Sequence, residues 1–317
     1  MNRFRALLWL AVLAWGCGWG RANAPVDTEE ETMPRVLVTG YLPDYRVADY
    51  APAAKAGIDV LVLFSAEATV AGGLDLSRLP GPARERARQI KMQQGCLLLL
   101  SVGGWDRSAA FPALAADAAA RGRFAAGLVE FCREEGFDGV DLDWEHPKDQ
   151  REGEDFALLL GEISRAFAPA GLQLSSALAP WQDLPAAAYQ HLDRIHLMSY
   201  DNPGRHSTYE AAVADVQRLL DRGVPAAKIW LGVPFYGRKP EAFDQALTYA
   251  QLLAQFNPDP EVDEAGGYYF NGPRTLQRKA RFARDGGLGG IMVWELGQDA
   301  AGEQSLLRAL SQALNSP

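Results

Sequence analysis

A chain of 317 residues, 48% hydrophobic and 22% charged, has the make-up of an ordinary globular protein, with room for one large domain or two small ones. Its formal charge of −9 argues against nucleic acid or an anionic membrane surface as partner, whereas a neutral polymer is indifferent to it. The three cysteines and four scattered histidines offer no Cys pair and no His-x-x-x-His spacing for a metal, so the sequence calls for no metal and no cofactor.

Residues 1–24 read as an export signal: Asn2-Arg3-Phe4-Arg5 is a basic start, an apolar stretch follows to Trp15, and Ala22-Asn23-Ala24 is a small-residue cleavage site. The apolar stretch is short for a membrane span. Pro25 disfavours a cut after Ala24, so the cut after Ala22 is the alternative. Lipidation of Cys17 ranks second, because Ala14-Trp15-Gly16 fits a lipoprotein signal poorly. Export implies a periplasmic or secreted protein without a transmembrane segment. Loss of Arg3, Arg5 and Arg21 leaves 28 basic against 40 acidic residues, a charge of −12. Cys96 and Cys132, in a strand and a helix, read as two buried small hydrophobes.

After an acidic leader at 25–34, strand-length apolar runs alternate with Ala-, Leu- and Arg-rich helical stretches. The strands run near 35–41, 59–65, 96–103, 137–145, 172–179, 194–201, 229–237 and 288–295. Helical stretches lie at 83–93, 109–135 and 208–222, with further ones at 241–256 and 274–285. Eight strands, each followed by a helical segment, predict a single-domain (β/α)8 TIM barrel over 35–317. An open doubly wound sheet wants a Gly-rich phosphate loop near its first strand, and none is present.

Chemistry concentrates at 138–145, Asp-Gly-Val-Asp-Leu-Asp-Trp-Glu. In a strand Asp141, Asp143 and Glu145 share one face, and Val140, Leu142 and Trp144 the other. Stacked carboxylates raise one another's pKa, and a protonated one beside charged ones serves as a general acid. The structural alternative, an acidic calcium loop or a solvated charge run, is polar throughout; here apolar residues alternate with the acids. Barrel enzymes react at the C-terminal ends of their strands, where Trp105, Glu145, Trp181, Tyr200, Asp201, Tyr236, Arg238 and Trp294 all fall.

The segment Asp138-Gly139-Val140-Asp141-Leu142-Asp143-Trp144-Glu145 resembles the D-x-x-D-x-D-x-E signature of family 18 glycoside hydrolases, the chitinase family. Four more segments agree in order: Ser101-Val102-Gly103-Gly104, Met198-Ser199-Tyr200-Asp201, 232–238 and 290–295. The resemblance implies retaining hydrolysis of β-1,4-linked N-acetylglucosamine glycans, with the substrate's own acetamide as nucleophile. It makes Glu145 the acid, Asp143 the residue orienting the acetamide, Asp141 its support and proton partner, and Tyr200 a donor to the acetamide oxygen.

Substrate contacts are expected from Trp294 as a floor, Asp201 as a hydrogen-bonding group and Met198, for which filling a gap near the site is the rival reading. Tyr41, Trp105, Trp181 and Arg238 are candidate subsite walls, packing being the rival reading for the aromatics, and Tyr236 is a further candidate substrate contact. Asp138, Ser101, Gly103 and Gly104 are supporting residues, with Ser101 hydrogen-bonding Asp141 and the glycines leaving room. His146 stands where many relatives carry Tyr. Residues 239–287 are too short for a full α+β insertion domain and are expected to hold only helices, giving a shallow cleft. An endo-β-N-acetylglucosaminidase or peptidoglycan hydrolase uses the same acids, and a chitin-binding lectin is the non-enzymatic alternative.

Overall fold

The computed structural model describes residues 35–52 and 57–316. The export signal, its cleavage sites, Cys17 and the leader lie outside the described residues.

Eight strands form the barrel: β1 (Leu37–Pro43), β2 (Val60–Ala68), β3 (Leu97–Gly103), β4 (Gly139–Asp143), β5 (Gln173–Leu178), β6 (Arg194–Leu197), β7 (Ile229–Pro234) and β8 (Gly290–Trp294). Each pairs in parallel with its sequence neighbours, and β1 pairs with both β2 and β8, so the sheet closes without a free edge. The predicted barrel is therefore present. Its register places Ser101 beside Asp141 and Asp141 beside Ser175, bringing three strands level with the acid row.

Helices α1 (Gly81–Gln94), α2 (Phe111–Ala116), α3 (Ala118–Glu135), α4 (Gln150–Phe167), α5 (Ala186–His191), α6 (Tyr209–Asp221), α7 (Tyr249–Phe256), α8 (Pro273–Asp285) and α9 (Leu306–Asn315) are the α-helices of the described residues. The expected single helix over 109–135 is two: Asp117 takes an extended ψ of 114° and its side chain accepts from Ala120 N, ending α2 and capping α3. The expectation of a helix over 241–256 is also corrected. Ala242–Thr248 is a strand pairing antiparallel with Tyr236–Lys239, and with Tyr268–Tyr269 and Glu264–Ala265 it makes a small four-stranded sheet. The helix starts only at Tyr249, where Thr248 and Gln251 cap each other's backbone.

The packing falls into two layers. Between strands and helices lies a continuous core that includes Leu98, Leu100, Phe111, Val140, Leu142, Trp144 and Phe156. Inside the barrel a smaller cluster of Tyr41, Val60, Val62, Phe64, Leu99, Trp230 and Met292 carries Met198, Tyr200 and Trp294. Alternation along a strand assigns successive residues to these two layers. Cys96 and Cys132 are free and buried, and burial raises their thiols to about 11 and about 12. Among the described residues no helix is long and apolar enough to cross a membrane.

Candidate active site

β4 carries the acid row from the barrel interior to its mouth. Asp141 is fully buried, Asp143 is 3% exposed and the Glu145 side chain 15%. The opposite face is anchored by Trp144, whose ring stacks on Phe111 at 5.5 Å. Turning the acids outward would thus expose Val140, Leu142 and Trp144, a large hydrophobic cost.

At the base, Asp141 accepts from Tyr41 OH at 2.6 Å and Ser175 Oγ at 2.6 Å, with His196 Nδ1 at 2.9 Å. Two expectations are corrected here. Tyr41 is no subsite wall: it is 1% exposed and its phenol faces Asp141. Ser101 makes no hydrogen bond with Asp141; although level with it in the register, its Oγ has no hydrogen-bond partner among the described residues. Ser175, from β5, makes the serine contact instead.

In the middle, burial and then the charges of Glu145 and Asp141 hold Asp143 well above the ordinary carboxylate range. Its carbonyl accepts from Gly104 N at 2.7 Å and Ser108 Oγ at 3.0 Å. A Cβ on Gly103 would stand 2.3 Å from that carbonyl, and one on Gly104 2.3 Å from the Phe64 ring. Both glycines also have φ above +100°, so the β3 end is closed to other residues. Ser108 further accepts from Glu145 N at 3.0 Å, tying the backbone at both ends of Trp144 to one hydroxyl.

At the mouth, Glu145 is raised to about 7, first by burial and then by the charges of Asp201 and Asp106, against a Trp105 backbone hydrogen bond that favours the anion. His146 Nε2 lies 3.4 Å from its carboxylate, and burial lowers that imidazole's pKa, favouring the neutral ring. A carboxyl that holds its proton to neutral pH, beside a neutral imidazole and above a buried acid, is able both to donate that proton and to take one back.

Tyr200 lies over the interior cluster, its phenol kept protonated by burial and by the charges of Asp143, Asp201 and Glu145. Its OH is 3.8 Å from Met292 Sδ. Asp201 is gripped by Tyr236 OH at 2.6 Å and by Arg238 Nε and Nη2 at 2.7 and 2.9 Å. Burial works to raise its pKa, but His206, Arg238 and Tyr236 outweigh that and bring it to about 2, so it stands charged beside Glu145. Tyr236, expected to contact substrate, is 5% exposed and spends its hydroxyl on Asp201. Arg238 spends its fork on the same carboxylate, with Nη1 on Phe243 O at 2.7 Å.

Trp294 is half-buried, tilted against Tyr41 at 5.6 Å and edge-on to Phe64 at 4.9 Å. Met198 packs in the same cluster. Trp105 and Trp181 are exposed, the latter with its ring 4.7 Å from His146 and bordering a groove of about 590 Å³ lined also by Pro147 and Leu184. Asp138 sits apart, at the other end of β4, where it pairs with Lys91 at 2.7 Å and accepts from Leu98 N; it supports strand pairing, not the mouth. The sequence reading missed Ser108, Ser175 and His196. The last was legible, because Arg194, His196, Met198 and Tyr200 share one strand phase with the acids' side of the barrel.

The model of glycosyl hydrolases family 18 matches residues 63–299. The chain belongs to glycosyl hydrolases family 18. Chitinase 1 of Aphanocladium album is 30% identical over 284 residues, covering 71% of this chain and 67% of that protein. Endochitinase 1 of Metarhizium robertsii is 30% identical over 285, covering 72% and 67%. The crystal structure of a chitinase from Flavobacterium johnsoniae superposes with a TM-score of 0.78 at 25% identity, covering 88% of this chain and 94% of that one. This member of the family is a glycoside hydrolase.

Proposed function

We propose that this hydrolase cleaves β-1,4-linked N-acetylglucosamine glycans, chitin or chito-oligosaccharides, with retention and with the substrate's acetamide as nucleophile. The observation that carries the reading is the stacked acid row, with a buried Asp143 held well above the ordinary carboxylate range beneath a Glu145 raised to about 7. The chitinases among the relatives support the substrate class. In family 18 no second protein carboxylate serves as nucleophile. The acetamide oxygen attacks the anomeric carbon as Glu145 protonates the departing oxygen. Asp143 orients the acetamide, Tyr200 donates to its oxygen, and Glu145 then takes a proton from the water that opens the oxazolinium ring. Trp294 floors the cleaved sugar, Asp201 bonds it, and Trp105 and Trp181 offer stacking faces.

Fully acetylated and fully deacetylated chito-oligosaccharides of equal length separate the mechanisms. The reading expects reducing ends to appear only from the acetylated chains and a thiazoline mimic of the ring intermediate to inhibit. Equal cleavage of both would mean that the acetamide is not the nucleophile.

A further inference from the structure

The mouth holds two polar groups that no step above uses, His146 and Gln182. Gln182, on the loop after β5, is 5% exposed and fixed on three sides. Its N donates to Ala179 O at 3.0 Å, its Oε1 accepts from Ala179 N, and its O accepts from Arg222 Nη1 at 2.8 Å. With Oε1 committed to that N–H, what the amide offers its neighbour His146 is its NH2. The flipped amide would set the NH2 against Ala179 N–H, donor against donor. Gln182 Nε2 and His146 Nδ1 are both buried, and neither has a hydrogen-bond partner among the described residues. A donor facing Nδ1 leaves the ring proton on Nε2, and Nε2 lies 3.4 Å from Glu145 Oε2. That is long for a hydrogen bond, as catalytic contacts often are before substrate binds.

We propose that His146 is a positioning residue for the general acid: Gln182 holds it as the Nε2–H tautomer, and that N–H hydrogen-bonds the carboxylate left on Glu145 once the proton has gone to the departing oxygen. The inference rests on Glu145 being the general acid. A donor to the charged form makes Glu145 a stronger acid, and without it Glu145 holds its proton to higher pH.

The groups around the pair bound the effect. Glu145 is faced by Asp143 from β4, by Trp105 N and Asp106 from the loop after β3, and by Tyr200 and Asp201 from the end of β6. His146 is faced by Glu145, by Gln182 and by the Trp181 ring, edge-on at 4.7 Å. Beyond Trp181 the groove is lined by Lys148, Asp149, Glu154 and Asp183, the last paired with Arg222 at 3.2 Å. Burial lowers the imidazole's pKa, so the ring is neutral where Glu145 titrates, at about 7.

The test is the pH profile of kcat/KM on a chito-oligosaccharide, which reports the free enzyme, for His146→Phe and His146→Gln. The Phe variant keeps a ring beside Trp181 and loses the N–H. Its alkaline limb is expected to move up by about one unit, the scale of one hydrogen bond to a charged group. The Gln variant, whose terminal amide reaches the place of Nε2, is expected to keep the wild-type limb. A Phe limb that stays in place or moves down overturns the proposal, as does an equal shift in both variants. Should the Phe variant fail to fold, ¹⁵N-histidine NMR of the wild-type protein above neutral pH decides, with the His146 signals identified by their loss in His146→Gln. The Nε2–H tautomer is expected, and the Nδ1–H tautomer overturns the proposal. That readout needs no turnover, so it separates failure of this proposal from failure of the assigned activity.

Discussion

Glu145 carries the heaviest claim of any single residue. Its substitution by Gln keeps the shape and removes the proton, so turnover on an N-acetylglucosaminide is expected to fall by about 10²- to 10⁴-fold, with sugar binding retained; isothermal titration with a chito-oligosaccharide checks the second half. The same variant has a stability signature. Glu145 is raised above its ordinary 4.5 to about 7, so the fold holds this proton more tightly than the unfolded chain does. That contribution is whole below about pH 4.5 and is lost as pH rises through about 7. Glu145→Gln is therefore expected to gain on the wild type between pH 4 and pH 8, by on the order of 3 kcal/mol. Calorimetric melts across that range would show it, and a constant difference would place the charged carboxylate in water. Of the site itself, the acids, Tyr200, Asp201 and Trp294 were legible in one dimension because they sit in short alternating runs. Ser108 and Ser175 were not, since only the pairing register sets β5 beside Asp141 and only the fold of the loop after β3 brings Ser108 to the end of β4.

Among the elements, strands were easier to read than helix ends. Runs such as 60–63 and 97–100 are continuous Val and Leu, which suits strands buried on both faces, whereas Ala242–Thr248 has the composition of either state and is decided by pairing with Tyr236–Lys239. The Thr248-x-x-Gln251 capping pattern marked the true start of α7. α8 carries a load no pattern disclosed: Lys279 is fully buried, with Nζ on Ser207 O at 3.0 Å, Ser207 Oγ at 2.8 Å and Asn271 Oδ1 at 2.8 Å. Ser207 adjoins His206, whose Nδ1 is 3.6 Å from Asp201, so this helix steadies the loop that carries a site carboxylate. Burial lowers Lys279 from 10.5 to about 7. Between those values the unfolded chain binds the extra proton, and stability from this group rises with pH. The melting difference between wild type and Lys279→Met is accordingly expected to shift in favour of the wild type from pH 7 to pH 10; a difference that stays flat would contradict the buried, depressed amine.

Residues 239–287 build only the small sheet with α7 and α8, and Trp105 and Trp181 stand 69% and 60% exposed. An open cleft encloses few sugars and lets the chain go between cuts, so soluble chito-oligosaccharides are expected to be degraded faster than crystalline chitin, with mixed early products. Dimer dominating from the first time point on crystals would indicate an enclosed, processive path. The claim that joins all three scales is attack by the acetamide, with Glu145 serving first as acid and then as base on one face of the sugar. Proton NMR of N-acetylchitotetraose hydrolysis, followed from the first minutes before mutarotation, tests it most directly. The β-anomer of the new reducing end is expected to appear first and decay toward equilibrium; an α-anomer appearing first would contradict the account.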